Sequence, residues 1–270
     1  MERFKFFLSR FARKEAFHVT APALPNQIHL SGMDAHAVQL ANKYQCGYEI
    51  TAFSYAPMLE DAAAFSRVEA ECEEIGSLWL HAPFAELIPC AIDPNVRANA
   101  MARFRQTTAL AARLGVRRIV VHGGFIPYVY FPEWYVEQSI CFWKEFLADA
   151  PDDLLLAVEN VMEPGPEMLV EIARGVDDPR LGLCLDVGHA NTVVSETPPA
   201  DWLAPMLPDL RHVHLHDNHG ALDEHLPLGA GTIDFAPILA ALAAHPDITI
   251  TLENQDILPS LQYLQANGWL

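Results

Sequence analysis

The feature that most constrains this chain is a recurrence along nearly its whole length. A short apolar run is followed by a polar or Gly/Pro loop and then by a longer stretch of helical period. Eight such runs stand at 16–19 (AFHV), 47–53 (GYEITAF), 77–84 (SLWLHAPF), 117–124 (RRIVVHGG), 154–161 (LLLAVENV), 181–189 (LGLCLDVGH), 210–217 (LRHVHLHD) and 248–254 (ITITLEN). Their spacing of about 30 residues is that of a strand–helix unit. Runs apolar on both faces belong to parallel sheets covered by helices. Eight in succession predict a closed (β/α)8 barrel in the α/β class. An open flavodoxin-like or dinucleotide-binding sheet is the competing architecture, but no G-x-G-x-x-G follows any run. The helical stretches read at 93–114, 133–150 and 237–245; the first opens on Asp-Pro and closes on Leu114-Gly115, a start and a stop of the expected kind.

The 270 residues suit one barrel domain spanning 1–270, with residues 1–15 of the basic, aromatic N-terminus expected to form a lead-in helix. That N-terminus lacks a continuous apolar core and a small-residue cleavage site, so it does not read as a signal peptide. No apolar run approaches the roughly 20 residues of a membrane span. The five cysteines (Cys46, Cys72, Cys90, Cys141, Cys184) are odd in number and show no short C-x-x-C spacing. They argue for a reducing, cytoplasmic setting and against both a disulfide framework and a thiolate zinc site. A net charge of −18 repels polyanions and weighs against a nucleic-acid partner.

Polar residues collect at the C-terminal ends of the runs, where a barrel builds its active site. His81, His122, Glu159, Asp186 and Glu253 close the third, fourth, fifth, sixth and eighth runs. On the seventh, His212, His214 and His216 alternate with Val213 and Leu215, so the three imidazoles share one face. His189 follows the sixth run, and Asp223 and His225 lie in a Gly-flanked loop. A lone strand histidine is ordinarily a hydrogen-bonded core group, but carboxylates buried in apolar runs are costly unless paired. Convergence of so many on one barrel end is resolved by divalent cations, which neutralise carboxylates and bind neutral imidazoles. A mixed His/Asp/Glu set without thiolates suits zinc, manganese, iron or cobalt better than calcium.

These residues carry a resemblance. VENV around Glu159, LDVGHAN from Leu185, HVHLHDN from His212 and DEHLPLGAGTIDF from Asp223 are similar to the xylose isomerase-like TIM barrels, the superfamily of endonuclease IV and of many sugar phosphate isomerases and epimerases. The endonuclease IV branch implies up to three zinc ions. One would lie on His81, His122 and Glu159; a second on Glu159, Asp186, His214 and Glu253; a third on His189, Asp223 and His225. The isomerase branch implies one ion on the second set, with Glu159 and Glu253 shuttling a proton through a metal-bound enediolate and His189 touching substrate oxygens. Two departures matter. An arginine six residues beyond the strand-seven ligand histidine, familiar in the epimerases, is here Gly220. Phe84-Ala85 follows His81, and few basic residues stand near the expected mouth.

Two reactions therefore compete. One is isomerisation or epimerisation of a small sugar or sugar phosphate; the other is phosphodiester hydrolysis by a di- or trinuclear zinc cluster. A barrel that binds metal or ligand without chemistry is a third reading. Asn160, Asn218 and Asn254 each sit beside or near a ligand position and are candidates to orient it or meet substrate hydroxyls, against a plain role in strand-end turns. Trp79, Phe84, Phe125, Tyr128, Tyr130 and Trp134 are candidates to wall a sugar pocket or pack the rim, and the loop 125–134 to act as a lid or a homo-oligomer contact.

Overall fold

The structure is a computed structural model describing Leu24 and residues 27–270. Eight parallel strands alternate with helices and close on themselves, β1 pairing with both β2 and β8. The order is β1 (Ile28–Ser31), α1 (Ala37–Tyr44), β2 (Gly47–Ile50), α2 (Ala62–Cys72), β3 (Leu78–His81), α3 (Pro94–Arg113), β4 (Arg118–His122), α4 (Pro132–Ala148), β5 (Leu155–Glu159), α5 (Glu167–Val176), β6 (Leu181–Asp186), α6 (Pro199–Met206), β7 (Leu210–Leu215), α7 (Phe235–Ala243), β8 (Thr249–Leu252) and α8 (Leu258–Ala266).

Seven of the eight expected runs hold strands. The first does not supply one of the eight: β1 is Ile28–Ser31, and both the 16–19 run and the expected lead-in helix at 1–15 lie outside the described residues. β1 is hard to see in sequence because its four residues, IHLS, alternate apolar and polar like a surface strand, yet all are buried. His29 pays no penalty there, since its ring bonds the Gln27 carbonyl and the Ser77 hydroxyl at 3.1 and 2.8 Å.

Local chemistry sets the helix ends. Asp61, Asp93 and Asp234 accept hydrogen bonds from first-turn N–H groups of α2, α3 and α7, each cap worth about 1 kcal/mol. Gly115 ends the α3 segment at φ +73, a left-handed conformation that favours glycine. The main core lies between strands and helices; α5, for instance, turns Leu169, Ile172, Ala173 and Val176 inward. A second, smaller layer of Trp79, Val120, Ala157 and Cys184 fills the barrel itself, so the lumen is packed and not a pore.

Register puts the polar strand ends side by side. His122 pairs with Glu159, Glu159 with Cys184, and Asp186 with His214.

Candidate metal centre

The structure brings all nine expected residues together at the C-terminal mouth, and they fall into three groups, the first two sharing Glu159. His81, His122 and Glu159 form one; Glu159, Asp186, His214 and Glu253 a second; His189, Asp223 and His225 a third, which also takes in His216. Glu159 Oε2 lies 3.3 Å from His81 Nε2 and 3.2 Å from His122 Nε2. His214 Nδ1 lies 3.4 Å from Glu159, 3.7 Å from Asp186 and 3.1 Å from Glu253. Asp223 Oδ2 lies 3.3 Å from His189 Nε2 and 3.0 Å from His225 Nε2.

These residues fit divalent ions on the structure's own terms. Buried Glu159 Oε2, His214 Nδ1 and His216 Nδ1 have no hydrogen-bond partner among the described residues, although each faces this mouth. Donor atoms about 2.0–2.1 Å from a tetrahedral ion stand roughly 3.3 Å apart, which is the spacing seen across the first and third groups. The ring tautomers agree. His81, His189 and His225 each turn Nδ1 to a backbone carbonyl, of Ala82, Asn160 and Glu253, at 2.9, 2.8 and 2.9 Å. A carbonyl only accepts, so Nδ1 carries a proton, and Nε2, turned to the carboxylates, is the nitrogen at which a cation could replace a proton.

Electrostatics follow from crowding. Burial opposes ionisation of Glu159, but the charges of His214 and His122 outweigh it and hold the carboxyl well below its usual range. Burial opposes ionisation of Asp186 too, and there His189 and His216 hold the carboxyl low. Burial depresses the rings that share Glu159. At His81 the hydrogen bond and charge of Glu159 overcome it and raise the ring to about 9, whereas His122 stays below its ordinary value. One carboxylate thus supports one proton between two rings. Burial also depresses His225, and the hydrogen bond to Asp223 overcomes it and raises the ring to about 9.

The loop carrying Asp223 and His225 is built by Asp217. Its carboxylate accepts the N–H groups of Asn218, Gly229, Gly231 and Ile233 at 2.8–3.1 Å. A Cβ at Gly231 would lie 2.2 Å from the Asn218 carbonyl, so that close approach requires glycine. Glu163, buried, receives the Tyr135 hydroxyl at 2.7 Å and the Val161 and Met162 amides, pinning the chain just beyond Glu159.

The three asparagines turn out to be loop anchors. Asn160 exchanges two hydrogen bonds with the Asp186 backbone, Asn218 bonds the Gly188 carbonyl, and Asn254 bonds the Leu226 carbonyl and Ser260. Of the expected aromatic wall, only Phe84 lines the cavity; it stacks on His122 with centroids 4.7 Å apart. Trp79 is instead inside the barrel, stacked on His212 at 4.2 Å, and Phe125 packs on Tyr135. Trp134 donates to the Cys90 carbonyl, and Tyr128 stands in solvent.

The cavity above the cluster holds about 510 Å³. Met33, Phe84, Val161 and Met162 give it an apolar wall, Thr51 and Ser54 a polar one, and among the described residues no lysine or arginine lines it.

Two residues of this region escape the sequence reading as site residues. His216 stacks on His225 with centroids 4.0 Å apart and bonds Asp186 at 3.0 Å. Glu49, on β2, lies fully buried against His212 and His214. Its signal was a carboxylate in an apolar run, the same signal as Glu159, but placed in mid-strand.

Comparison with known proteins agrees with this geometry. A family model described as xylose isomerase-like TIM barrel matches residues 32–270. Among curated relatives, Uncharacterized protein MJ1311 of Methanocaldococcus jannaschii is 32% identical over 188 residues, 66% of this chain and 64% of its own length. A probable endonuclease 4 of Mycobacterium ulcerans is 26% identical over 62% of this chain and 69% of its own. The match therefore spans less than two thirds of the first of these relatives. Among solved structures, TTHB071 protein from Thermus thermophilus, soaked with ZnCl2, superposes with a TM-score of 0.72 at 30% identity, covering 89% of this chain and 97% of that one. A D-tagatose 3-epimerase-like protein gives 0.74 at 24% identity over 89% and 95%. A closed eight-strand barrel, a family model spanning nearly all of it and a His/Asp/Glu mouth make this chain a member of the xylose isomerase-like TIM barrel family.

Proposed function

We propose that this protein is a divalent-metal-dependent isomerase or epimerase acting on a small sugar or sugar phosphate by proton transfer. The observation that carries the reading is the pair Glu159 and Glu253. They reach the same His214 nitrogen from β5 and from the end of β8, and both line a cavity that no basic side chain lines among the described residues. Two carboxylates at one opening can remove a proton from one face of a carbon and return one to the other. His189, with Nε2 turned toward Asp223 at the mouth, is placed to donate to or accept from a substrate oxygen. Phe84 and Met162, part-exposed at the rim, supply an apolar surface for the C–H face of a sugar and keep water from the reacting carbon.

The ions would be held by the three groups described above, zinc being the first choice for a His/Asp/Glu set without thiolate. Bound there, a divalent ion supplies Lewis acidity that polarises a carbonyl and steadies developing oxyanion charge. Fold similarity to a D-tagatose 3-epimerase-like protein supports the sugar reading. Five free cysteines, four of them buried, support a reducing compartment.

Incubation of metal-replete protein with a panel of ketoses, aldoses and their phosphates in deuterated water should place deuterium on the carbon that loses its proton. No exchange from any sugar would overturn the reading.

One observation favours a second reaction. The outer group of His189, Asp223 and His225 exceeds what a one-ion isomerase needs, and relatives described as probable endonuclease 4 lie in the same family. Phosphodiester hydrolysis would use all three groups. Against a DNA substrate stands the absence of basic side chains among the described residues that line the cavity, since phosphate contacts supply most of the affinity for nucleic acid. Cleavage of an abasic-site duplex or of a simple phosphodiester, with no deuterium exchange, would establish this reading in place of the first.

A further inference from the structure

Three of the mouth histidines, His81, His189 and His225, turn Nδ1 to a carbonyl and offer Nε2. His214 is inverted. Its Nδ1 faces Glu159, Asp186 and Glu253, and its Nε2 faces down into the barrel, where no backbone carbonyl meets it. What meets it is Glu49, 3.2 Å away and 0% exposed. We propose that Glu49 is a positioning residue: a carboxylate on the barrel floor that fixes the tautomer and aim of His214 and thereby decides which of its nitrogens is a metal donor.

Glu49 Oε2 accepts from His212 Nε2 at 3.0 Å, from His214 Nε2 at 3.2 Å and from the Thr251 hydroxyl at 2.5 Å. An ionised carboxylate is acceptor-only, so each nitrogen facing it carries the proton. His214 therefore keeps a proton at Nε2, and Nδ1 is the nitrogen at which a cation can take the place of a proton. Nδ1 has no hydrogen-bond partner among the described residues and stands among three carboxylates. A cation seated between them would neutralise those carboxylates while Glu49 holds the other nitrogen.

The floor is rigid. Trp79 stacks on His212 and donates to Thr249, whose hydroxyl also meets His212 Nδ1 at 2.7 Å. His212 is thus locked on both nitrogens and cannot take over the role of His214. A carboxylate behind a ligand histidine also raises its basicity, and removing such a partner typically costs about 10- to 100-fold in metal affinity. The proposal is independent of which reaction the mouth catalyses, because its readouts are metal binding and ring tautomer.

The test uses the full-length, zinc-loaded protein. Long-range 1H–15N correlation should show His214 protonated at Nε2 and metal-bound at Nδ1; a proton at Nδ1 overturns the proposal. Glu49→Gln should lose about 10- to 100-fold in zinc affinity by chelator competition and shift the visible absorption of the cobalt-loaded protein. Glu49→Asp should recover part of both. Should Glu49→Gln not fold, Thr251→Val, which frees one of the donors holding Glu49, should still shift the cobalt absorption. Folded Glu49→Gln with wild-type affinity and absorption, whatever its melting temperature, makes Glu49 structural only and overturns the proposal.

Discussion

The barrel interior has two halves made from the same residue types and put to opposite uses. In the lower half His29, Ser77, Arg118, Trp79, His212 and Thr249 bond one another or nearby backbone; each His29 and His212 nitrogen has a partner, and His212 reaches up to Glu49. Glu49, between the halves, and Glu159, His214 and His216, in the upper half, each leave a buried atom without a hydrogen-bond partner among the described residues. Titration follows the same division with one exception. Burial holds His29 down to about 3 and His212 to about 4, despite Glu49 beside the latter. At the mouth burial acts in the same direction, but hydrogen bonds to carboxylates overcome it and raise His81 and His225 to about 9, while His122, which shares Glu159 with His81, stays low. A buried histidine whose needs are met is part of the scaffold. One that shares carboxylates with its neighbours is a candidate cation ligand.

The contrast between the halves is most exposed to test at Glu159, the residue common to two groups. Glu159→Ala should remove zinc from both and lower turnover by about 10³-fold or more, read by elemental analysis and steady-state rates. Retention of both ions would show that the two halves are less different than their hydrogen bonding implies.

Next in size is Trp79→Ala, in the lower half. It should cost about 3–5 kcal/mol of stability from the cavity left behind, measured by denaturant unfolding, while the zinc count per folded chain stays unchanged. Loss of zinc with little loss of stability would reverse the assignment of the two halves.

The acid limb reports on His29 and His212. Their folded values lie below the ordinary 6.5, so the unfolded chain binds protons that the folded one refuses. Stability should fall as pH drops from about 6.5 toward 4 and 3, at roughly 1.4 kcal/mol per unit per group at most, and zinc should not restore it. Two rings of the mouth behave in the opposite sense. His81 and His225 lie above their ordinary value, so in metal-free protein their contribution is full below about 6.5 and is lost as pH rises through about 9. Zinc displaces those protons, so affinity should climb over the same range and the loaded protein should melt independently of it.

The smallest effect is expected at Phe84, part-exposed on the rim. Phe84→Ala should change stability by no more than about 0.5 kcal/mol and raise KM several-fold at unchanged zinc content. An unchanged KM would remove the aromatic wall from the substrate reading.

Much of this was legible before folding. Strand period and the spacing of apolar runs are local properties, so seven strands and the closed barrel could be read directly. The gathering of His81, His122, Glu159, Asp186 and Glu253 at the mouth was legible because a charge or imidazole at the end of an apolar strand is costly unless something holds it; His189, Asp223 and His225, and the choice of His214 from its strand, rested on the family resemblance. β1 was missed because a lumen that contains polar groups makes a fully buried strand look amphipathic. Trp79 was misplaced, and the asparagines were left between two roles, for a related reason: position along a strand says which face a side chain takes, but not which partner it will meet there.

What only the tertiary structure decided is pairing. Sequence could put His212, His214 and His216 on one face, but not distinguish a locked ring from a ligand or from a ring stacked on His225. That depends on partners far along the chain: Glu49 is 163 residues from His212 and 202 from Thr251. A residue's cost of burial is written in its own chemistry and is visible in sequence. The relief of that cost comes from the neighbour the barrel brings round, and only closure of the barrel supplies it.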